Sequence, residues 1–355
     1  MDFIPTIGNL MSIRRSDWKY ILLMFLVFKI LTSCQAQAPS EKINGISLVA
    51  SRDKITSQDI TPILNVNANT VAVMPFAFLE GLSSPDLKFN LELQWYGERR
   101  EGAREAIQLL QNSGLKVMLK PQIWIRRGEF TGAINMSSEK DWVLFEQYYR
   151  DFIMLFASLA QEQQIDYFSI GTELHGFVKT RPEFWIALIA EIRTIYKGNL
   201  TYAENWDKIE EVPFWKSLDF IGVDAYFPLN EGKSPSLSEL RTAWAPHKSV
   251  LKNLSKTVDK PILFTEYGYR NIDFATKAPW DSSRDIAGNN NELQADALEA
   301  LYAEFWFEPW FAGGFLWKWH HDHELAGGLE NNQFTPQNKP AESVVKLFYG
   351  GLLRN

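Results

Sequence analysis

The sequence has 355 residues, of which 46% are hydrophobic and 22% are charged, and its formal net charge is −7. This balance is typical of a globular protein with a large core, and the acidic charge argues against a nucleic-acid partner because no basic stripe is present to bind phosphate groups. The length suits a single (β/α)8 barrel better than a domain of average size.

The N-terminus has the pattern of an export signal. A basic segment around Arg14 precedes a short apolar run that begins at Tyr20, and small residues follow as far as Cys34, the one cysteine of the chain. Residues 1–34 are therefore predicted to be a signal peptide rather than a membrane span. Its end, Leu31-Thr-Ser-Cys34, resembles the bacterial lipobox. We expect an exported lipoprotein, facing the periplasm or the cell surface and attached to a membrane only through a lipid on Cys34; a plain secretory signal and an uncleaved anchor are the alternatives.

After a short predicted tether at residues 35–42, β-rich apolar runs alternate with longer helical patterns. Strands are predicted at 43–50, 70–79, 116–125, 166–174, 199–206, 219–227, 260–267 and 313–319. Helices are predicted at 98–113, 141–164, 182–197, 236–258, 291–308 and 341–349. This alternation indicates an α/β fold in which residues 43–355 form a single (β/α)8 TIM barrel, and we expect a monomer. No Gly-x-Gly-x-x-Gly follows the first strand, which counts against a dinucleotide-binding fold.

Two glutamates each follow a short apolar run. Glu173 ends the run that starts at Asp166, and Glu266 ends the run that starts at Pro261. A carboxylate at the end of a buried strand is costly, and a buried ion pair with Arg or Lys would explain either acid alone. The active sites of barrels lie at the C-terminal ends of the strands, however, and these acids end the fourth and the seventh predicted strands. The pair therefore favours glycoside hydrolysis, which uses two carboxylates across the scissile bond.

Seven segments in order carry a resemblance to a known family. They are Leu119-Lys-Pro-Gln-Ile123, Arg127-Gly-Glu-Phe-Thr-Gly132, Gly171-Thr-Glu-Leu174, Asn205-Trp-Asp207, Ile221-Gly-Val-Asp-Ala-Tyr-Phe-Pro228, Thr265-Glu-Tyr-Gly-Tyr269 and Gly313-Gly-Phe-Leu-Trp-Lys-Trp319. The set resembles glycoside hydrolase family 113, a family of endo-β-1,4-mannanases in the clan of retaining (β/α)8 glycosidases. The resemblance implies double displacement, with Glu266 as the nucleophile and Glu173 as the acid/base. Glu173 must then be protonated near neutral pH, so we expect burial and a neighbouring negative charge to raise its pKa.

Three polar residues are predicted to contact the substrate or the acids. Tyr226 is expected to donate a hydrogen bond to Glu266, although a buried tyrosine that merely satisfies its hydroxyl is the alternative. Lys120 is expected to bind a sugar hydroxyl, with a structural ion pair as the alternative. Many clan members place Asn directly before the acid/base, where it contacts the sugar 2-hydroxyl, but this chain has Thr172 there. Asn205 is our candidate for that contact.

Aromatic side chains are expected to stack on sugar rings. Trp317 and Trp319 share one face of the last predicted strand if the alternation is regular. One of them is predicted to lie under the cleaved sugar, and a place in the core is the alternative for the other. Trp206 is a further candidate for substrate binding. Trp124 and Trp142 are assigned to packing or to anchoring a loop.

The run His320-His-Asp-His-Glu324 contains good zinc ligands. Consecutive residues cannot all point at one ion, and the first predicted strand supplies no histidine, so we predict neither a metal nor a cofactor and assign the run to a rim loop. The predicted function is that of a retaining glycoside hydrolase, with β-1,4-mannan or manno-oligosaccharides as the expected substrate. The alternatives are a retaining β-glycosidase for another polysaccharide, a non-catalytic glycan-binding barrel and a metal-dependent hydrolase.

Overall fold

The structure is a computed structural model that describes residues 41–283 and 288–351. The predicted signal peptide, with Cys34, and most of the predicted tether lie outside these residues. Lys42, the last residue of the predicted tether, donates hydrogen bonds to the carbonyl oxygens of Glu308, at 2.7 Å, and of Phe311, so it is attached to the barrel. Across the described ranges, the structure contains no helix with the length and hydropathy that a membrane span requires.

Eight parallel strands form a closed barrel in which neighbours in sequence pair and the last strand pairs with the first. The strands are β1 (Ile43–Leu48), β2 (Thr70–Val73), β3 (Lys116–Leu119), β4 (Tyr167–Thr172), β5 (Asn199–Asn205), β6 (Ile221–Asp224), β7 (Ile262–Tyr267) and β8 (Phe311–Trp319). The predicted (β/α)8 TIM barrel is therefore confirmed.

The six predicted helices are present within a few residues of their expected bounds, and two short ones were not predicted. The helices of the described residues are α1 (Ser57–Asn65), α2 (Arg100–Asn112), α3 (Glu139–Glu162), α4 (His175–Thr180), α5 (Pro182–Ile195), α6 (Leu237–Val258), α7 (Asn291–Phe305) and α8 (Pro340–Tyr349). Side-chain caps fix two of the starts: Ser138 accepts from the Asp141 N–H before α3, and Ser236 forms a capping box with Glu239 before α6. The unpredicted helices, α1 and α4, are too short for a clear helical period.

Alternation along the strands divides the apolar residues between the inside of the barrel and the helix layer. Ala72, Met118, Leu263 and Phe315 form a small cluster with Ile43. Residues on either side of these in the strands, such as Val71 and Val73 in β2, belong instead to the large cluster packed against the helices. Because successive side chains of a strand point to opposite faces, the small cluster fills the barrel interior.

Two predicted strands are shorter than expected because each contains a proline. The expected strand at 70–79 stops before Pro75, and the one at 116–125 stops before Pro121. Proline has no N–H to donate to a ladder, so the pairing of the barrel ends there. The second halves form a separate three-stranded sheet, in which Phe76–Leu79 pairs in parallel with Gln122–Ile125 and in antiparallel with Lys88–Phe89.

A buried tyrosine of β5 fixes the chain where β4 turns into α4. The Tyr202 hydroxyl accepts the Leu174 N–H at 2.8 Å and donates to Glu204 Oε2 at 3.2 Å. The Tyr202 ring is fully buried and packs edge-on against Trp185, with 5.3 Å between the ring centroids. Since Leu174 directly follows Glu173, this contact sets the position of the predicted acid/base.

We expect Tyr202→Phe to lower the free energy of unfolding by about 1–3 kcal/mol, because it leaves the buried Leu174 N–H without an acceptor. The matched control is Tyr269→Phe: the Tyr269 ring is equally buried, but its hydroxyl has no hydrogen-bond partner among the described residues. Loss of that hydroxyl should be neutral or stabilising. Denaturant unfolding of both variants measures the difference, and equal losses would contradict the assigned role of Tyr202.

Candidate active site

The C-terminal ends of the strands surround an open cleft of about 1910 Å³, part of which is open to solvent. Six of the eight predicted site residues line it: Glu173, Glu266, Asn205, Trp206, Tyr226 and Trp317. Both glutamates therefore face one space, as the barrel pattern predicts.

Glu266, in β7, is held by three donors. Its Oε1 accepts from Lys120 Nζ at 2.6 Å and from Gln122 Nε2 at 3.0 Å, and its Oε2 accepts from the Tyr226 hydroxyl at 2.9 Å. These three donors hold both oxygens of the carboxyl group in place. The predicted contact of Tyr226 with Glu266 is present in the structure.

Lys120 does not face the cleft. Its side chain is 0% exposed, and its Nζ lies 3.3 Å from Asp224 Oδ1 as well as 2.6 Å from Glu266. Burial alone would lower the pKa of Lys120, but the carboxylates of Asp224 and Glu266 outweigh it and raise that pKa above its usual value. The structure therefore corrects the expected contact with a sugar hydroxyl: Lys120 is a buried cation that positions Glu266.

Asp224, the last residue of β6, is a third acid of this cluster. Its Oδ1 accepts from the Thr265 hydroxyl at 2.7 Å, and its Oδ2 has no hydrogen-bond partner among the described residues. Burial, together with the negative charge of Glu266, raises the pKa of Asp224 to about 7, although Lys120 opposes the shift. Asp224 therefore holds a proton more tightly than an aspartate in water does.

Glu173 follows the last residue of β4 and adopts a left-handed backbone conformation, with φ of 51°. Its N–H donates to the Ala203 carbonyl at 2.7 Å, and its carbonyl accepts from the Thr131 hydroxyl at 3.1 Å. Glu173 is half-buried and lines the cleft. Burial, then the charges of Asp224 and Glu266, raise the pKa of Glu173 well above its usual range, which Lys120 only partly opposes. This agrees with the expectation from the sequence.

A fourth buried acid, Glu204, lies beneath the turn that follows Glu173. Its Oε1 accepts from the Asn205 N–H at 2.9 Å, and burial raises its pKa to about 8. His175 Nδ1 lies 3.8 Å from Glu204 Oε2. Glu204 is fully buried, so it supports the turn and does not face a substrate.

Asn205 and Thr172 both line the cleft. Asn205 Oδ1 accepts from the Trp206 N–H at 3.0 Å. The Thr172 hydroxyl is buried and has no hydrogen-bond partner among the described residues. Its hydroxyl is therefore not presented to a substrate, and the contact expected of Asn205 stays a prediction.

Several aromatic rings line the cleft. Trp206 stacks on Trp280, with 5.8 Å between the ring centroids, and Trp317 is also among the lining residues. Trp124, which the sequence assigned to packing or loop anchoring, is 53% exposed and also lines the cleft. Trp142, in contrast, is buried as expected.

The structure does not bring Trp319 into the cleft. The residue is 0% exposed, and its ring lies 5.6 Å from that of His323. The pairing of β8 with β1 is irregular, since Leu316 pairs with Ile46 but Trp319 pairs with Leu48. This bulge interrupts the alternation that the prediction assumed, so Trp317 and Trp319 have different surroundings.

Three residues of the site were not predicted from the sequence: Gln122, Asp224 and Trp280. Gln122 and Asp224 each lie two residues from a predicted site residue, Lys120 and Tyr226 respectively, and this spacing could have marked them. Trp280 lies in the loop after β7, where no pattern distinguishes it.

The histidine run forms a rim segment. Burial lowers the pKa of His320 to about 4, and His323 Nε2 lies 2.8 Å from Glu342 Oε1. The described part of the chain contains no group of three His, Cys, Asp or Glu side chains arranged to hold a metal ion.

Comparison with known proteins places this site in a family. The profile of Glycoside Hydrolase Family 113 matches residues 50–339, whereas no curated protein matches the sequence. The family 113 β-mannanase AaManA from Alicyclobacillus acidocaldarius, in complex with ManMIm, is similar with a TM-score of 0.75 and 24% identity, over 88% of this chain and 98% of that one. A family 113 β-1,4-mannanase complex has a TM-score of 0.74 and 23% identity, over 87% of this chain and 99% of that one.

A more distant similarity connects the chain to Ruminococcus gnavus β-glucuronidase, with a TM-score of 0.59 and 14% identity, over 87% of this chain and 50% of that one. At these identities the solved structures show a shared fold. The family profile, in contrast, spans most of the chain. The protein therefore belongs to glycoside hydrolase family 113, and it is a glycoside hydrolase.

Proposed function

We propose that the protein is a retaining endo-β-1,4-mannanase in which Glu266 is the nucleophile and Glu173 is the acid/base. The observation that carries this proposal is the unequal environment of the two carboxyl groups. Glu266 accepts hydrogen bonds from three donors, one of them a buried cation, whereas burial and two neighbouring acids raise the pKa of Glu173. Two carboxyl groups with such different surroundings suit the two different roles of double displacement.

In the first step, the Glu266 carboxylate attacks the anomeric carbon while Glu173 gives its proton to the departing glycosidic oxygen. The products are a glycosyl ester of Glu266 and the shortened glycan. In the second step, the Glu173 carboxylate takes a proton from water as that water attacks the anomeric carbon. The ester bond breaks, and both carboxyl groups return to their starting states.

The support of Glu266 has a definite purpose in this scheme. Lys120 and Gln122 both contact Oε1, whereas Tyr226 contacts Oε2. Three fixed donors restrict rotation of the carboxylate and so keep one oxygen aimed at the sugar. Such positioning lowers the entropy that the reaction must lose on the way to its transition state.

The proposed substrate is inferred from the family and from two β-mannanases of similar structure. The Trp206–Trp280 stack and Trp317 supply flat apolar surfaces for sugar rings. The β-glucuronidase shares the fold and has another substrate, so the fold does not determine the sugar. A retaining β-glycosidase for another polysaccharide is therefore the competing proposal, and turnover of mannan, glucomannan, cellulose and xylan oligosaccharides by the wild type separates the two.

The roles of the two acids predict opposite products with azide. Glu266→Ala should lower hydrolysis by at least about 100-fold, and azide should restore turnover of an activated aryl β-glycoside as the α-glycosyl azide. Glu173→Ala should lose a similar factor on mannan, because the leaving group is no longer protonated, and azide should give the β-glycosyl azide. NMR identifies the anomer. The control Glu183→Ala, on the exposed start of α5, should keep normal activity. If Glu266→Ala gave the β-azide and Glu173→Ala the α-azide, the two glutamates would have the opposite roles.

The raised pKa of Glu173 predicts the pH profile. Activity needs protonated Glu173, so it should be lost as the pH rises through the pKa of this group, and the alkaline limb of kcat/KM reports that loss. Asp224→Asn removes a negative charge that raises the pKa of Glu173, so the alkaline limb should move to lower pH. Glu204→Gln should move it less, because Glu204 has a smaller influence on Glu173. If the alkaline limb of Asp224→Asn is unchanged, Asp224 does not influence the pKa of Glu173.

We also propose export as a lipoprotein, on the support of the lipobox-like Leu31-Thr-Ser-Cys34, which lies outside the described residues. In a bacterial host, the full chain should incorporate labelled palmitate and remain with the membrane fraction. Cys34→Ser should abolish the label and release the protein, since the lipid is attached to this cysteine. A membrane-bound but unlabelled wild type would favour the uncleaved anchor, and a soluble, unlabelled one would favour a plain secretory signal.

A further inference from the structure

The small sheet beside the barrel mouth has one buried face and one exposed face. Phe76 pairs with Gln122 and Phe78 pairs with Trp124, so these four side chains share a face, while their neighbours Ala77 and Leu79 are buried on the other. On this face Trp124 is 53% exposed and Phe76 and Phe78 are half-buried, which gives an aromatic surface that a binding partner would cover.

The exposed face begins at the catalytic centre. Gln122 donates to Glu266 Oε1 at 3.0 Å. Trp124 lies two residues further along the same strand, which corresponds to about 7 Å at the usual rise of a strand. The row of aromatic side chains therefore leads directly away from the proposed nucleophile.

A loop extends this face and is fixed to it. The Gln94 side chain donates to the Phe76 carbonyl at 2.9 Å and accepts from the Leu91 N–H at 2.7 Å. This anchors Trp95, which is 44% exposed and has the Arg52 guanidinium over its ring, 5.5 Å from the centroid. We name Phe76, Phe78, Trp95 and Trp124 the aromatic shelf.

The groove over the aromatic shelf, of about 1160 Å³ and partly open to solvent, adjoins the catalytic cleft. Val49, Ala50, Phe76 and Trp124 line both spaces. The groove is mostly apolar, and polar atoms of Gln94 and Glu98 lie along it. Flat rings with a few hydrogen-bonding groups match a sugar chain, whose rings have apolar faces and hydroxyl-bearing edges.

We propose that the aromatic shelf is a distal binding site for further sugar units of the β-glycan whose scissile bond lies between Glu173 and Glu266. This inference rests on the proposed function for the identity of the glycan. The shelf makes the enzyme favour long chains over short ones, because only a long chain reaches from the catalytic acids to Trp95. Its contribution is absent for substrates that end before Trp124.

Two other occupants fit the apolar surface less well. A second copy of the chain would bury the groove but would also block the cleft that it adjoins. An anionic membrane surface would meet both the Arg52 guanidinium over Trp95 and the Glu98 carboxylate, so these charges give it no net attraction. The lining that the groove shares with the cleft therefore favours the substrate itself.

The test is the dependence of kcat/KM on chain length, measured from mannobiose to mannohexaose and on polymeric mannan. Trp95→Ala should lower kcat/KM by about threefold to tenfold on the longest substrates, the loss of one aromatic contact, and by less than about twofold on the shortest. Trp124→Ala should act in the same direction and begin at shorter chains. Phe307→Ala, which removes an equally exposed ring after α7, is the matched control and should leave every chain length unchanged.

Three results would overturn the shelf: equal losses at all chain lengths, no loss at any length, or a change from dimer to monomer in Trp95→Ala without an altered length dependence. If the wild type cleaves no β-mannan, the proposed function fails, and the shelf is then judged by binding alone. In that case, Glu266→Gln protein should be retarded in affinity gels that contain glucomannan, cellulose derivative or xylan, and adding Trp95→Ala should reduce the retardation. Unchanged retardation would overturn the shelf.

Discussion

The rest of the site depends on the ion pairs of the buried Lys120 ammonium group. This cation pairs with the carboxyl groups of Asp224 and Glu266, and Glu173 is close enough for its charge to act on it. If all three were ionised, the cluster would carry two uncompensated negative charges away from bulk water, which is very costly. Burial and the neighbouring charges raise the pKa of Glu173 and of Asp224, so a proton on either acid lowers this cost. The same charge balance is what the proposed role of Glu173 as the acid/base requires.

The position of Lys120 follows from a backbone feature of the sequence. Pro121 ends the pairing of β3 and turns the chain out of the barrel, with Lys120 before it and Gln122 after it. Both side chains contact Glu266 Oε1, one from within the barrel and one from the added sheet. Pro121 thus lies between a strand of the barrel and a strand of the small sheet beside the barrel mouth.

Much of the fold could be predicted, because alternation and helical period depend on local sequence. For the same reason, the predicted ends of β4 and β7 put Glu173 and Glu266 in the cleft, where the structure has them. Properties that depend on several strands at once could not be predicted in this way. The bulge that buries Trp319 arises from the pairing of β8 with β1, and the exposure of Trp124 arises from the sheet that Pro121 creates. The burial of Lys120 could not be predicted without knowing that Asp224, from another strand, contacts its ammonium group.

The residue before Glu173 bears on which strand would supply the predicted contact with the sugar. An Asn there would present an amide to the sugar, but the Thr172 hydroxyl is buried beside the cleft, without a partner in the described residues. Asn205, at the end of the neighbouring strand, already uses its amide oxygen to accept the Trp206 N–H. Its amide nitrogen is then the donor that this side chain offers to the cleft that it lines. Because β4 and β5 are hydrogen-bonded neighbours, a donor on one can replace a donor on the other without moving either glutamate.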